Sequence, residues 1–548
     1  MGNKSKKNNY LVQGTILVIA SFIARVIGML YRIPLTNILG DQGNAYYSTA
    51  NEIYSIILMV SSFSLPLAVS KLVSERLHIG QKKNAHKVFI CAIKFGVVVG
   101  GAMSLLTFLL AGVITKGMKF EMASYALRVL SPAIFIFAVV GVFRGFFQGH
   151  ETMVPTAVSQ VIEQVVNAVV SLVCAGMLLS YGTQLAKEKG NESLGPALGA
   201  AGGTLGTVVS VTVALLFVMF IYWTYRATFR RQMRRDQTKR LESDRTIYRA
   251  LILTILPIVL STVVYNISTI IDQGIFSTIL SGQGFSEQEY STIWGVFVGK
   301  FKVLMNVPLS IASCLAPSVV PSLTASMADG DMRGAGIKVR DSIRYTMVFT
   351  IPCAVGLAAL ASPIMQLIFG DAQQLTAGIM QSGALMIVLF ALSTLTTGIL
   401  QGLGEMKAPL INSAIALGLH LIVLILMLSQ FKLNIYGVVY ANIFFALVIC
   451  LLNAWVIRKK LHYRQELKRT FIIPVLTSGV MGLAAYGVYR LFHLFAGNAV
   501  STLVAVLTGV VVYAVVLVKL RGITEREIYG LPKGGLIVAV LRKCRILS

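Results

Sequence analysis

The chain has 548 residues, of which 56% are hydrophobic and only 13% charged, with a mean hydropathy of +0.76. That balance excludes a soluble globular protein, whose surface needs far more charge, and leaves no large polar loop in which an enzyme's acidic clusters would stand. In a soluble protein a net charge of +26 would suggest nucleic acid, but here the lysines and arginines sit in short segments between apolar runs, as the positive-inside rule requires.

Each apolar run is long enough to cross a hydrocarbon core of about 30 Å as a helix. None alternates strictly, so helices rather than barrel strands are expected. In chain order the runs predict an all-α polytopic membrane protein with about fourteen spans. They lie at 11–38, 53–74, 87–114, 124–146, 155–181, 196–225, 249–280, 293–320, 342–369, 375–401, 408–430, 435–457, 471–493 and 499–520. The first follows Lys4, Lys6 and Lys7, contains arginines and offers no small-residue cleavage site, so it reads as a retained helix. Strongly basic loops follow spans 6 and 12, at 226–248 (Arg230, Arg231, Arg234, Arg235, Lys239, Arg240, Arg245) and at 458–470 (Arg458, Lys459, Lys460, Arg464, Lys468). Loop 281–290, with Glu287 and Glu289, falls on the opposite side. An even number of spans with both termini cytoplasmic places all the basic loops inside. The tail after 520, with Arg542, Lys543 and Arg545, reads as a basic segment lying on the inner surface. The six cysteines form no CxxC or Cys/His cluster, so no metal, cofactor or disulfide framework is expected.

The two halves echo each other. Tyr47-Ser48-Thr49 precedes a span reaching Pro66-Leu67, and Tyr290-Ser291-Thr292 precedes one reaching Pro308-Leu309. Gly145-Phe146-Phe147-Gln148-Gly149, then Pro155, matches Gly398-Ile399-Leu400-Gln401-Gly402, then Pro409. The expected organisation is an N-lobe at 1–225, a basic linker at 226–248 and a C-lobe at 249–457. A basic loop at 458–470, two further spans at 471–520 and the tail at 521–548 complete it. Parallel repeats of this kind imply a substrate site near the midplane and alternating access.

The segment from Phe143 through Arg144, Gly145, Gln148, Gly149, His150, Glu151 and Pro155 to Gln160, continuing to Glu163-Gln164, resembles the loop 4–5 signature of lipid-linked oligosaccharide flippases. These share a superfamily with the multidrug and toxin extruders, and the chain is most similar to the MurJ-type and stage V sporulation protein B groups. The resemblance implies export of an undecaprenyl-pyrophosphate-linked saccharide, most directly lipid II, across a bacterial plasma membrane. It also implies a groove for the lipid tail at spans 13 and 14, and cavity arginines on spans 1, 2 and 8. The chain departs from that pattern on span 2, whose middle is uncharged, with Glu52 at its end. Membrane lipids and the lipid-linked saccharide are the expected partners, nucleic acid is not, and a monomer is expected. A flippase for another polysaccharide unit and a cation or drug antiporter are the alternatives.

Ionisable groups within spans are costly and nominate the site. Arg25 and Arg32 stand two turns apart on span 1, which puts them on nearly one face. Lys300 and Lys302 stand on span 8, facing nearly opposite ways. These four are the candidate ligands of a diphosphate. Asp272 on span 7 is a candidate partner either of Arg32 or of a span 8 lysine. Arg144, Gln148 and Glu151 are candidates for an inner gate, although a purely structural turn is the equal alternative. Glu163 is expected to neutralise Lys94, and His420 to be bonded in packing. The glycines at 199, 202, 203 and 206 suggest close helix packing. Relatives with a sodium site use carboxylates on spans 7, 11 and 12. Spans 11 and 12 here offer only Asn412, Ser413 and Asn442, so sodium coupling is not expected.

Overall fold

The computed structural model describes residues 2–520, apart from 237, 239, 240, 406, 463 and 464, together with 522. The basic tail therefore lies outside the described residues. Helix is the only regular structure among them: α1 (Gly2–Leu58), α2 (Leu65–His78), α3 (Lys82–Gly117), α4 (Ala123–Gly149), α5 (Val154–Lys189), α6 (Leu194–Arg234), α7 (Asp244–Gly282), α8 (Glu287–Val296), α9 (Lys302–Ala328), α10 (Met332–Ala359), α11 (Ala361–Phe369), α12 (Gln374–Gly402), α13 (Ala408–Ser429), α14 (Ile435–Leu461), α15 (Ile473–Phe492) and α16 (Asn498–Lys519). Wider π turns at Met59–Phe63 and Phe297–Phe301 join α1 to α2 and α8 to α9. Eleven runs among the described residues are long and apolar enough to cross a membrane. The chain is a multi-pass helical membrane protein, in two compact units, Met1–Gly299 and Lys300–Ser548.

In the first unit, predicted spans 1 and 2 are not separated by a loop. Helix continues through 39–52 and breaks only at Gly40, whose φ of 66° and ψ of −179° suit a residue without a Cβ. Asn44 Nδ2 donates to the carbonyls of Gly40 and Thr36, at 2.7 and 2.9 Å, satisfying acceptors freed by the break. The glycines of α6 lie against α5: a Cβ at Gly202 would overlap the Cys174 carbonyl, and one at Gly206 would meet Ser171. Close packing is thus what those glycines permit.

The basic linker is shorter than expected because α6 carries its arginines on to Arg234. The link that follows is tied by its acidic residues to the ends of α2 and α3. Arg76, buried, donates from Nε and Nη2 to the Glu242 carboxylate, both at 3.0 Å. Lys87 Nζ reaches the Glu242 carbonyl at 2.6 Å and Asp244 at 2.8 Å, and the Lys83 N–H donates to Asp236.

In the second unit, predicted span 9 is divided at Leu360 into α10 and α11. Helices α15 and α16 are fastened to this unit by polar bonds. Tyr513 donates to the Val348 carbonyl at 2.6 Å, Asn498 to the Pro363 carbonyl at 3.1 Å, and Arg344 to the Gly522 carbonyl at 2.5 Å.

The repeat recurs in the backbone. The turns after α2 and α9 share one pattern: Gly80 and Gly330 take positive φ, and the next residue donates back to Arg76 or Ser326. The turns after α4 and α12 also match. Glu151 N donates to Gln148 O and Thr152 N to Phe147 O. In the other turn, Gly404 N donates to Gln401 O and Glu405 N to Leu400 O.

Candidate functional site

The signature segment is built chiefly as a helix contact. Gly141, Gly145 and Gly149 share one stripe of α4 laid against α2, where a Cβ at Gly145 would stand 2.6 Å from the Pro66 carbonyl and one at Gly149 2.8 Å from Val73. That rotation of α4 directs Arg144 towards α5. Arg144 is buried, donating to Ser159 Oγ at 2.9 Å and to Glu163 at 2.8 Å. Glu163 is therefore neutralised by Arg144 and not by Lys94, which is exposed. Gln148 is half-buried, and Glu151 is exposed with a φ of 59°, a left-handed conformation unfavourable for a side chain.

Of the cations in the first unit, Arg25 is exposed and has no carboxylate partner among the described residues. Arg32 is half-buried. Its guanidinium lies 4.2 Å from the centre of the Tyr47 ring and donates to Ser48 Oγ at 3.1 Å, so it is engaged by the Tyr-Ser-Thr motif and not by Asp272. Thr49, the third residue of that motif, accepts from the Gln273 amide beside Asp272. Both residues of that pair are buried.

In the second unit Lys300 is buried and pairs with Asp371 at 2.6 Å, whereas Lys302 is half-buried. Sequence reasoning passed over Asp371. It stands just beyond the predicted end of span 9, where a carboxylate costs little, and its partner is 71 residues away.

The neutral polar groups are tied into packing. Asn412 donates to Asn453 Oδ1 at 2.9 Å, Asn453 to Thr396 at 3.0 Å, and Asn442 to the Val438 carbonyl at 3.0 Å. Ser413 is buried. His420, fully buried, bonds the Ala441 carbonyl through Nδ1 at 2.9 Å, which is the packing role expected of it. Among the described residues no group of three or more His, Cys, Asp or Glu could hold a metal ion.

A family of polysaccharide biosynthesis proteins matches residues 11–327. Lipid II flippase MurJ of Bacillus subtilis (strain 168) is 25% identical over 86% of this chain and 87% of its own. Stage V sporulation protein B of the same organism is 22% identical over 97% and 99%. Among solved structures, a lipid II flippase MurJ in an inward closed conformation superposes with a TM-score of 0.65 at 16% identity, covering 92% of this chain and 98% of that one. An inward-facing multidrug resistance MATE transporter of the MOP superfamily gives 0.61 at 16% identity, with 80% and 95% covered. The helical fold shared with these structures, the repeated turns and a family match over more than half the sequence agree: the chain belongs to the polysaccharide biosynthesis protein family.

Proposed function

We propose that the protein is a flippase that carries an undecaprenyl-pyrophosphate-linked saccharide, lipid II in the first place, from the inner to the outer leaflet of a bacterial plasma membrane by alternating access. Arg25 carries this reading. It is an exposed guanidinium in an apolar run, without a carboxylate partner among the described residues. An arginine facing lipid there is expensive, so a water-filled path is the favoured surrounding. A guanidinium also matches a diphosphate's paired oxygens through charge-assisted bonds. Arg32 in the first unit and Lys300 and Lys302 in the second offer the same positive chemistry. Gln148 and Glu151 stand at the turn that follows α4, the proposed cytoplasmic entrance, with Arg144 one turn earlier in the helix. A net positive path also senses the membrane potential at about 2.3 kcal/mol per charge per 100 mV, which supplies a drive without a coupling ion. The protein acts as a monomer with both termini cytoplasmic.

A second reading, transport of a different polysaccharide unit, is favoured by one observation. The stage V sporulation protein B relative aligns over more of this chain, 97% against 86%. Reconstitution separates the two. Vesicles holding the protein are loaded with a fluorescent undecaprenyl-pyrophosphate-linked saccharide, with or without the peptide, and exposed headgroups are quenched from outside. Preferential movement of the peptide-bearing form supports lipid II, and preference for the peptide-free form supports the second reading. Movement of neither contradicts flipping.

A further inference from the structure

Asp371 stands in the link 370–373 between α11 and α12, directly after Gly370, whose φ of 65° turns the chain out of α11. Its carboxylate is held from both sides. Oδ1 accepts the Gln373 N–H at 2.8 Å, and Oδ2 accepts Thr376 Oγ1 and Lys300 Nζ, each at 2.6 Å. Burial pushes this carboxyl up, but the bonds from Lys300, Thr376 and Gln373 outweigh it and hold Asp371 below the usual carboxylate range.

The two ends of the pair differ. Two of the three bonds to Asp371 come from its own link and the first turn of α12, so its charge and aim persist when Lys300 leaves. Lys300 belongs to the π turn Phe297–Phe301 and reaches Asp371 on a four-carbon stem. Such a turn is a common device at functional sites. The lysine is the exchangeable member.

We propose that Asp371 is an internal counter-anion that competes with the substrate's diphosphate for Lys300, holding the lysine between cycles and reclaiming it as the saccharide is released. This rests on the flippase reading above. Carboxylate and phosphate oxygens ask the same of an ammonium group, a short charge-assisted bond. On the orientation expected from the basic loops, link 370–373 faces outward, where release must occur. Asp371 is thus a positioning residue for release and touches no substrate.

The test uses the full chain in lipid nanodiscs and undecaprenyl pyrophosphate as the probe, with binding and thermal unfolding measured together. Asp371→Asn is expected to bind the probe about tenfold more tightly, the worth of one charge-assisted hydrogen bond, and to flip saccharide more slowly. Lys300→Gln is expected to bind more weakly, and the double variant to behave as Lys300→Gln does. Should Asp371→Asn fail to fold, Thr376→Val replaces it. With one donor gone the carboxylate grips Lys300 harder, and the probe binds more weakly. Wild-type binding that Asp371→Asn leaves unchanged or weakens overturns the inference alone, as does tightening that survives in the double variant. In the fallback, probe binding that Thr376→Val leaves unchanged or tightens also overturns it. No binding by wild type or Asp371→Asn overturns the flippase reading, and the inference with it.

Discussion

The turn that closes α4 and the turn that closes α12 are the same piece of backbone with different chemistry built on it. Both carry Gln-Gly at the helix end and a residue of positive φ two or three positions on. In the second unit that residue is Gly404, at no steric cost, and the neighbouring polar core is the neutral chain Asn412–Asn453–Thr396. In the first unit it is Glu151, and the neighbouring core is the ion pair Arg144–Glu163. The Tyr-Ser-Thr motif has diverged in the same sense. Tyr47 and Ser48 hold Arg32, while the Ser291 and Thr292 hydroxyls donate to the Gln288 carbonyl of their own helix. A duplicated frame has thus kept its turns and, among the described residues, set an arginine–glutamate pair beside the first of them alone.

The largest expected effect lies in the two polar cores. Arg144→Met leaves the Glu163 carboxylate enclosed without its partner and should cost about 3–5 kcal/mol. Asn453→Ala should cost about 1–3 kcal/mol. Unfolding midpoints in detergent decide it, and equal losses would erase the distinction. The double variant Arg144→Leu/Glu163→Leu should recover most of the loss.

Next comes the glycine stripe. Gly145→Ala brings a methyl against the Pro66 carbonyl, a backbone atom that cannot give way, at about 1–3 kcal/mol. At Gly402 the nearest atom is the Leu323 Cβ at 3.1 Å, so Gly402→Ala should cost less. The reverse order in unfolding experiments would contradict the tighter contact assigned to the first turn.

The smallest effect concerns Glu151. Glu151→Gly removes a side chain from the left-handed region and should raise stability by about 1 kcal/mol. Transport that falls while stability rises would show that the carboxylate is retained for work at the entrance. Unchanged transport would make it a turn residue only.

The spans were legible because lipid leaves helices as the only way to satisfy backbone groups over runs this long. The repeat was legible for a related reason: turns and close contacts need particular residues, and those recur at matching places. The loop-free passage from the first span to the second was not, since one glycine, Gly40, breaks the helix where a loop was expected. Residue partners were least legible. Arg144 meets Glu163 because the glycine stripe sets the rotation of α4, and no spacing along the chain encodes that angle. Asp371 carries no mark in the sequence, because a carboxylate at the end of an apolar run needs no partner to be tolerated.

The proposed function puts the exposed guanidinium of Arg25 on the route by which a diphosphate-linked saccharide moves outward. The most direct test is to express the chain in a bacterium whose own lipid II flippase can be shut off and to measure lipid II in the outer leaflet, with Arg25→Ala beside it. Restored outer-leaflet lipid II in the wild type, lost in the variant at equal membrane abundance, is the predicted result. Restoration equal in both would remove Arg25 from the path, and no restoration by properly inserted wild-type protein would contradict lipid II as the substrate.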